Sequence, residues 1–269
     1  MELKRHALKT EDLHARTVRM MRAGVLDVLQ ALDHCSSRTR RKDIHQLRLG
    51  ARSLLATLGL LSVMHKDGRD IRRAAHALKV ILRATSGLRD LQLHRAHINS
   101  ASLGRQGAWL ADELDDRIAR SSSRALRLLA GVDRSSLVLL AGRAWKQPGI
   151  EDARRRMRKH LERERTEIAA LLKNLDPDDE RSLHDHRIAL KHHRSTLLVL
   201  GEAVPAEIQR MLKDLGAWHD ACVRIDQLAV LRKRAPGKQR RWIDHQLPGS
   251  RTALQRRAAS LCRSARARS

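Results

Sequence analysis

Leu47, Leu54, Leu58 and Leu61 fall on one side of a helix, and Leu183, Leu190, Leu197 and Leu200 do the same about half a chain later. A row of bases stands opposite each leucine stripe. Residues 44–55, IHQLRLGARSLL, carry His45, Arg48 and Arg52, followed by Leu55. Residues 183–194, LHDHRIALKHHR, carry His184, Arg187, Lys191 and Arg194. Offsets of 0, 3, 7 and 10 residues span only about 80° of arc at about 100° per residue. Both segments read apolar-His-x-x-Arg-x-x-x-Arg/Lys. The pattern is that of an amphipathic helix that packs by its leucines and presents cations on the other side.

Helix is expected throughout. Ala, Leu and Arg dominate the chain, and Phe and Tyr are absent, which removes the strand-favouring aromatics. The segments expected are 10–34, with Thr10 as N-cap, 36–64, opened by Ser36 and Ser37, and one from the KDGRD break through the nineties, kinked at Gly87. Others cover 105–130, 134–145, 150–174 and the LHDHR segment to about 203. Pro205 suits the first turn of the next helix, which ends at APG; a last segment, 238–266, is interrupted at Pro248 and Gly249.

The two signature helices have matched companions downstream. SGLRDLQL at 86–93 follows His45, and GAWHDACV at 216–223 follows His184. Alignment pairs Asp90 with Asp220, Arg89 with His219, and Arg83 with Lys213. Landmarks in the same order suggest an internal duplication: residues 1–147 as one helical-bundle half and 148–269 as the other. The fold expected is all-α, two four-helix bundles related by a pseudo-two-fold, with a basic central channel between them.

Lys and Arg number 55 against 30 Asp and Glu, a formal net charge of +25. An excess of that size repels itself, and it points to an anionic partner. The candidate binding residues are the stripe His45, Arg48, Arg52 and the stripe His184, Arg187, Lys191, Arg194. To these the third helix adds Arg72, His76, Lys79 and Arg83, with Lys213 as the second-half counterpart. Arg19 and Arg22 join from the first helix, and Arg155 and Lys159 from the sixth. Arg suits such a role because its planar fork matches a phosphate. A merely solvated basic face is the competing reading, and the repetition of the pattern weighs against it.

At this point the signature helices resemble those of the CHAD family, the conserved histidine α-helical domain. Its pattern is similar to His-x-x-Arg-x-x-x-Arg/Lys-x-x-Arg once per half, followed by a Leu-Gly-x-x-Arg/His/Asn-Asp landmark, present here as SGLRD and LGAWHD. The resemblance covers essentially the whole chain. It departs at Leu55, where a third base is usual, and at His186 and His193, where leucines are usual. The resemblance implies two four-helix bundles and binding of inorganic polyphosphate in a basic central pore; it does not imply catalysis, and no enzymatic activity and no cofactor are expected.

Other classes are weaker. Single strands are usually gripped on aromatic platforms, and four scattered tryptophans make a poor one. Nucleic acid remains the alternative partner for the same basic surface, since charge alone would permit it. A polyphosphate-metabolising enzyme is the third reading. It lacks a phosphate-cradling glycine loop. His186 and His193 share the packing face and read as interface histidines rather than metal ligands. The HD pairs at His184–Asp185 and His219–Asp220 carry little weight for a metal phosphohydrolase. Cys35, Cys222 and Cys262 have neither zinc nor disulfide spacing and read as buried thiols. The start of the chain has no apolar signal core, and the longest mostly apolar run, LLATLGLLSVM, is too short for a bilayer. A cytoplasmic protein is expected, associated with polyphosphate granules and not with a membrane.

Overall fold

The structure, a computed structural model, describes residues 10–36, 38–65, 68–100 and 104–266. Among them there are nine helices and no strand: α1 (Thr10–Cys35), α2 (Arg41–Met64), α3 (Arg69–Ser100), α4 (Gly104–Ala130), α5 (Arg134–Gly142), α6 (Ile150–Lys173), α7 (Glu180–Leu200), α8 (Ala206–Arg232) and α9 (Gly237–Arg266). The all-α expectation holds.

Helix ends shift by a few residues from the sequence reading, α5 ending at Gly142 and α7 at Leu200, and two differences go further. Ser36 does not open α2. Its hydroxyl donates to the Asp33 carbonyl at 2.6 Å and so closes α1, while Arg40 occupies the N-cap of α2 without a side-chain bond. Ser37 lies outside the described residues. The second difference is at Pro248, which sits inside a continuous α9 rather than ending a helix. Proline removes one intrahelical donor. Pro248 is exposed, and the helix continues through it with the Thr252 hydroxyl donating to its carbonyl at 3.1 Å.

The described chain forms two compact units. The first comprises Met1–Gln92, Asp116–Glu162 and Ser195–Glu202; the second comprises Leu93–Asp115, Arg163–Arg194 and Ala203–Ser269. Each unit therefore draws on both halves of the sequence.

The first unit is built around α1 and α2. Val25, Val28 and Leu32 of α1 are buried with Leu47, Leu54, Leu58 and Leu61 of α2, and Leu78, Ile81 and Leu88 of α3 join them. The leucine stripe read from the sequence is thus the packing face. The close approach of α1 and α2 depends on Gly24, where an added Cβ would meet Leu54 at 3.3 Å. Asp133 caps α5 by accepting from the Ser136 amide at 3.1 Å.

By length and composition α2 is apolar enough to cross a bilayer, which the run-length argument had missed. Its apolar residues instead fill the core: Ile44, Leu47, Leu54, Leu58 and Leu61 are at most 1% exposed. A full-length core helix passes the same compositional test as a membrane span.

In the second unit, Leu183 and Leu190 of α7 are buried, as are Leu215, Trp218 and Ile225 of α8 and Ile243, Leu247 and Leu254 of α9. His186 and His193 are buried here as well. His186 Nε2 lies 3.1 Å from Met211 Sδ, and His193 Nδ1 lies 2.9 Å from Glu164 Oε2. Their reading as interface histidines is matched. Cys35, Cys222 and Cys262 are buried and form no disulfide among the described residues. Burial, reinforced by nearby carboxylates, pushes Cys35 up to about 11 and Cys222 up to about 12.

Candidate polyanion-binding clusters

In the first unit, the signature row of α2 meets the SGLRD landmark of α3. His45 and Arg52 are exposed, whereas Arg48 turns inward. One Arg48 guanidinium nitrogen donates to the Leu82 carbonyl at 2.6 Å and to Thr85 Oγ1 at 2.9 Å. Burial, then the Arg52 charge, lowers Arg48 to about 10, with Asp90 opposing the shift. Burial also lowers Arg52, again offset by Asp90. The His45 imidazolium is disfavoured by burial and by Arg89, Arg52, Arg41 and Arg48. Arg89 donates to the Arg41 carbonyl at 3.5 Å, and Gln92 donates to the Thr39 carbonyl at 2.9 Å, so the landmark segment is tied to the start of α2. The result is a group of cations around one carboxylate, Asp90.

The third-helix row follows its expected course. Arg72, His76, Lys79 and Arg83 are all exposed along α3, opposite the buried Leu78 and Ile81. At its start, Arg69, Arg72, Arg73 and His76 face Asp133 and Ser135 across an open cleft of about 530 Å³. Arg69 and Arg73 were not singled out from the sequence; their position next to Arg72 in the RDIRR run was the available signal.

Other candidates from this unit divide. Arg19 and Lys159 are exposed. Arg22 is engaged at the end of α5, donating to the carbonyls of Ala141 at 3.1 Å and Arg143 at 3.3 Å. Arg155 pairs with Asp152 on its own helix at 2.7 Å. An aromatic pair of Trp145 and His65, with ring centroids 4.8 Å apart, is covered by Arg143 at 5.0 Å. That tryptophan therefore serves packing.

The second unit repeats the association of signature helix and landmark. His184 of α7 packs against His219 of α8, ring centroids 5.5 Å apart. Burial is the first cause that brings His219 down to about 4; Arg187, His184 and Lys191 add to it, and Asp220 opposes it. At neutral pH its imidazole is uncharged. Arg187 and Lys191 are half-buried, and Arg194 and Lys213 are exposed. Among the described residues no group of three or more His, Cys, Asp or Glu is placed to hold a metal ion.

Each unit thus combines a His-x-x-Arg-x-x-x-Arg/Lys helix with an Arg/His-Asp landmark; Asp90 tempers Arg48 and Arg52 in the first, and Asp220 acts on His219 in the second. Such an arrangement defines an all-helical protein with paired basic clusters, suited to an anion carrying several charges. The CHAD domain family model matches residues 23–236, and the chain belongs to that family. The fold is similar to the crystal structure of the CHAD domain from the plant Ricinus communis, with a TM-score of 0.61, 16% identity, and coverage of 92% of this chain and 87% of that one. It is also similar to PptA from Streptomyces chartreusis, with a TM-score of 0.56, 17% identity, and coverage of 90% and 98%. No curated protein matches the chain in sequence.

Proposed function

We propose that the protein binds inorganic polyphosphate without transforming it. The observation that carries this reading is the recurrence, in each unit, of a cation-bearing signature helix beside an aspartate landmark. Membership of the CHAD family supports the choice of ligand. Arg52, Arg83, Lys191, Arg194 and Lys213 supply charge to the phosphates, with Arg72, His76 and Lys79 extending the first cluster. Arg48 holds α2 to α3 and so positions its neighbours. The recurrence reflects an internal duplication, in which Arg48 corresponds to Arg187 and Arg52 to Lys191.

Charge-assisted bonds to phosphate oxygens provide affinity, and release of counterions drives association. By analogy with duplex DNA, engaging six to ten phosphates costs on the order of 10³-fold or more in affinity between 50 and 200 mM salt. Titration of long-chain polyphosphate at several salt concentrations tests this. A steep loss supports the reading, and an affinity flat across that range overturns it. Release of orthophosphate from polyphosphate by the pure protein would overturn its non-enzymatic part.

A further inference from the structure

We propose that the cleft between the start of α3 and the start of α5 receives the end of a polyphosphate chain, with Asp133 accepting a hydrogen bond from the P–OH that only a terminal phosphate carries. The inference rests on the polyphosphate reading above, and it adds where the chain end sits and which side chain tells it from the middle.

The cleft lies wholly within the first unit. Its volume of about 530 Å³ falls in the range of small-ligand sites, roughly 300–1,000 Å³. Arg72, Arg73 and His76 of α3 face Asp133 across it, and none of these four has an ion-pair partner among the described residues. The other carboxylate of the lining, Asp70, is already paired with Arg143 at 2.6 Å. Leu139 is the one apolar residue of the lining among the described residues, so an organic head such as a nucleoside base finds little to pack on.

Asp133 selects the occupant. Its Oδ1 accepts from the Ser135 hydroxyl at 2.5 Å and from the Ser136 amide at 3.1 Å, which fixes the carboxylate at the rim of α5. The Ser135 hydroxyl and then the Ser136 amide hold this carboxyl below the usual carboxylate range. At neutral pH it therefore accepts hydrogen bonds and donates none. Such a group repels a phosphate that has charge but no proton. An internal phosphate of the chain is of that kind, because its two bridging oxygens leave it a single, strongly acidic hydroxyl. A terminal phosphate has a second hydroxyl, which ionises only near neutrality; the second proton of a phosphomonoester leaves at about pH 6. The terminal group can thus set its anionic oxygens on Arg72 and Arg73 and keep one P–OH for Asp133.

The remainder of the chain has a path out of the cleft. Arg72, His76, Lys79 and Arg83 are exposed, and at about 100° per residue they fall within about 60° of one another, opposite Leu78 and Ile81. The row continues for roughly 16 Å at about 1.5 Å per residue. A lone monophosphate would fill the cleft and leave this row unused, which favours a chain end over a small phosphate ester.

The test uses the full chain and two short linear polyphosphates of equal length, one with free ends and one whose terminal phosphates are methyl esters. Titration calorimetry at about pH 6.5, where the terminal group still holds part of its second proton, gives both affinities. The parent is expected to prefer the free-ended chain by about tenfold or more, the contribution of one hydrogen bond to a charged acceptor. Methylation also removes charge from the ends, so Asp133→Asn is the control. Asparagine can still cap α5 and lacks the anionic acceptor, and thermal melting checks the fold. In this variant the preference is expected to shrink by about fivefold or more. A parent without preference overturns the proposal, and so does a preference that the variant keeps to within about twofold, since end charge alone would then explain it. Phenyl phosphate, which has the terminal group without the chain, is expected to compete about tenfold more weakly than the free-ended chain or worse. Equal competition would make the cleft a monoester site and overturn the chain-end reading. A parent that binds long-chain polyphosphate without regard to its ends removes this inference alone; one that binds no polyphosphate removes the proposed function as well. Should Asp133→Asn melt at a lower temperature, Asp133→Ser, another capping residue without the charge, takes its place with the same expectation.

Discussion

Arg48 donates to Thr85 Oγ1 at 2.9 Å inside the first unit, so a residue of the signature motif is spent on joining α2 to α3. The Thr85 hydroxyl in turn donates to the Ile81 carbonyl at 2.8 Å, and the same Arg48 nitrogen also donates to the Leu82 carbonyl. The bond network is local to two helices and is buried.

Removing Arg48 should therefore cost stability. Arg48→Ala deletes two hydrogen bonds from a buried charged donor and leaves a cavity, with an expected loss of about 2–4 kcal/mol. Arg52→Ala, one turn further and exposed, should stay within about 0.5 kcal/mol. Urea denaturation of the two variants checks the contrast. Equal, small losses would mean that the buried bonds contribute nothing measurable.

Arg48 also marks the limit of what the sequence disclosed. Period 3.6 in the leucines located the helices and their packing faces, because burial of an apolar stripe is a property of one helix. Whether a base beside that stripe points to water depends on which neighbour covers its edge. Here Leu82 and Thr85 of α3 do so, and no local pattern encodes that. Arg22 shows the same dependence on its neighbours, donating to the Ala141 and Arg143 carbonyls at the end of α5. The histidines on the leucine face were legible, since His186 and His193 fall in phase with buried positions. The role of His219 beside the second cluster was legible only through the duplicated landmark.

Gly201 should resist substitution. It ends α7 with φ at 76°, its amide bonds the Leu198 carbonyl at 3.1 Å, and the Glu202 amide bonds Leu197 at 2.9 Å. Such left-handed closures favour glycine. Here an added Cβ would also run into the Arg16 guanidinium. Gly201→Ala is expected to cost about 1–2 kcal/mol from backbone strain alone, and displacement of Arg16 adds to it. Thermal melting of Gly201→Ala with and without Arg16→Ala separates the two contributions.

Acidification should destabilise the fold through its histidines. Burial lowers His14, His65, His97 and His186, and His219 is brought down to about 4. Each of these binds its proton more readily in the unfolded chain. Their contribution is complete above about pH 6.5 and is lost as the pH falls from there towards the folded values. For His219 a drop from 6.5 to about 4 corresponds to at most about 3 kcal/mol, and less after solvent screening of a partly exposed ring. Urea midpoints at pH 7.5 and 5.0 should differ for the parent and differ less for His219→Gln. A midpoint that rises on acidification would contradict the sign.

Both clusters should contribute to polyphosphate affinity, and exposed cations test this without disturbing the buried Arg48. Arg52→Ala with Arg83→Ala reduces the first cluster; Lys191→Ala with Arg194→Ala reduces the second. Arg52, Arg83 and Arg194 are exposed, and Lys191 is half-buried near His219. A charge-assisted bond is worth about 1.5–3 kcal/mol when desolvated and falls below about 1 kcal/mol where water screens it. Each pair is therefore expected to lose about 1–3 kcal/mol, which is about 5- to 150-fold in affinity. The two losses should be similar, because the chain's asymmetries offset one another. The first signature row has Leu55 where the second has Arg194, and the third-helix row has four cations where its counterpart has Lys213. Isothermal titration of both double variants at one salt concentration decides. A large loss for one pair beside none for the other would confine the ligand to a single unit and reduce the duplicated motif in the other to a structural inheritance.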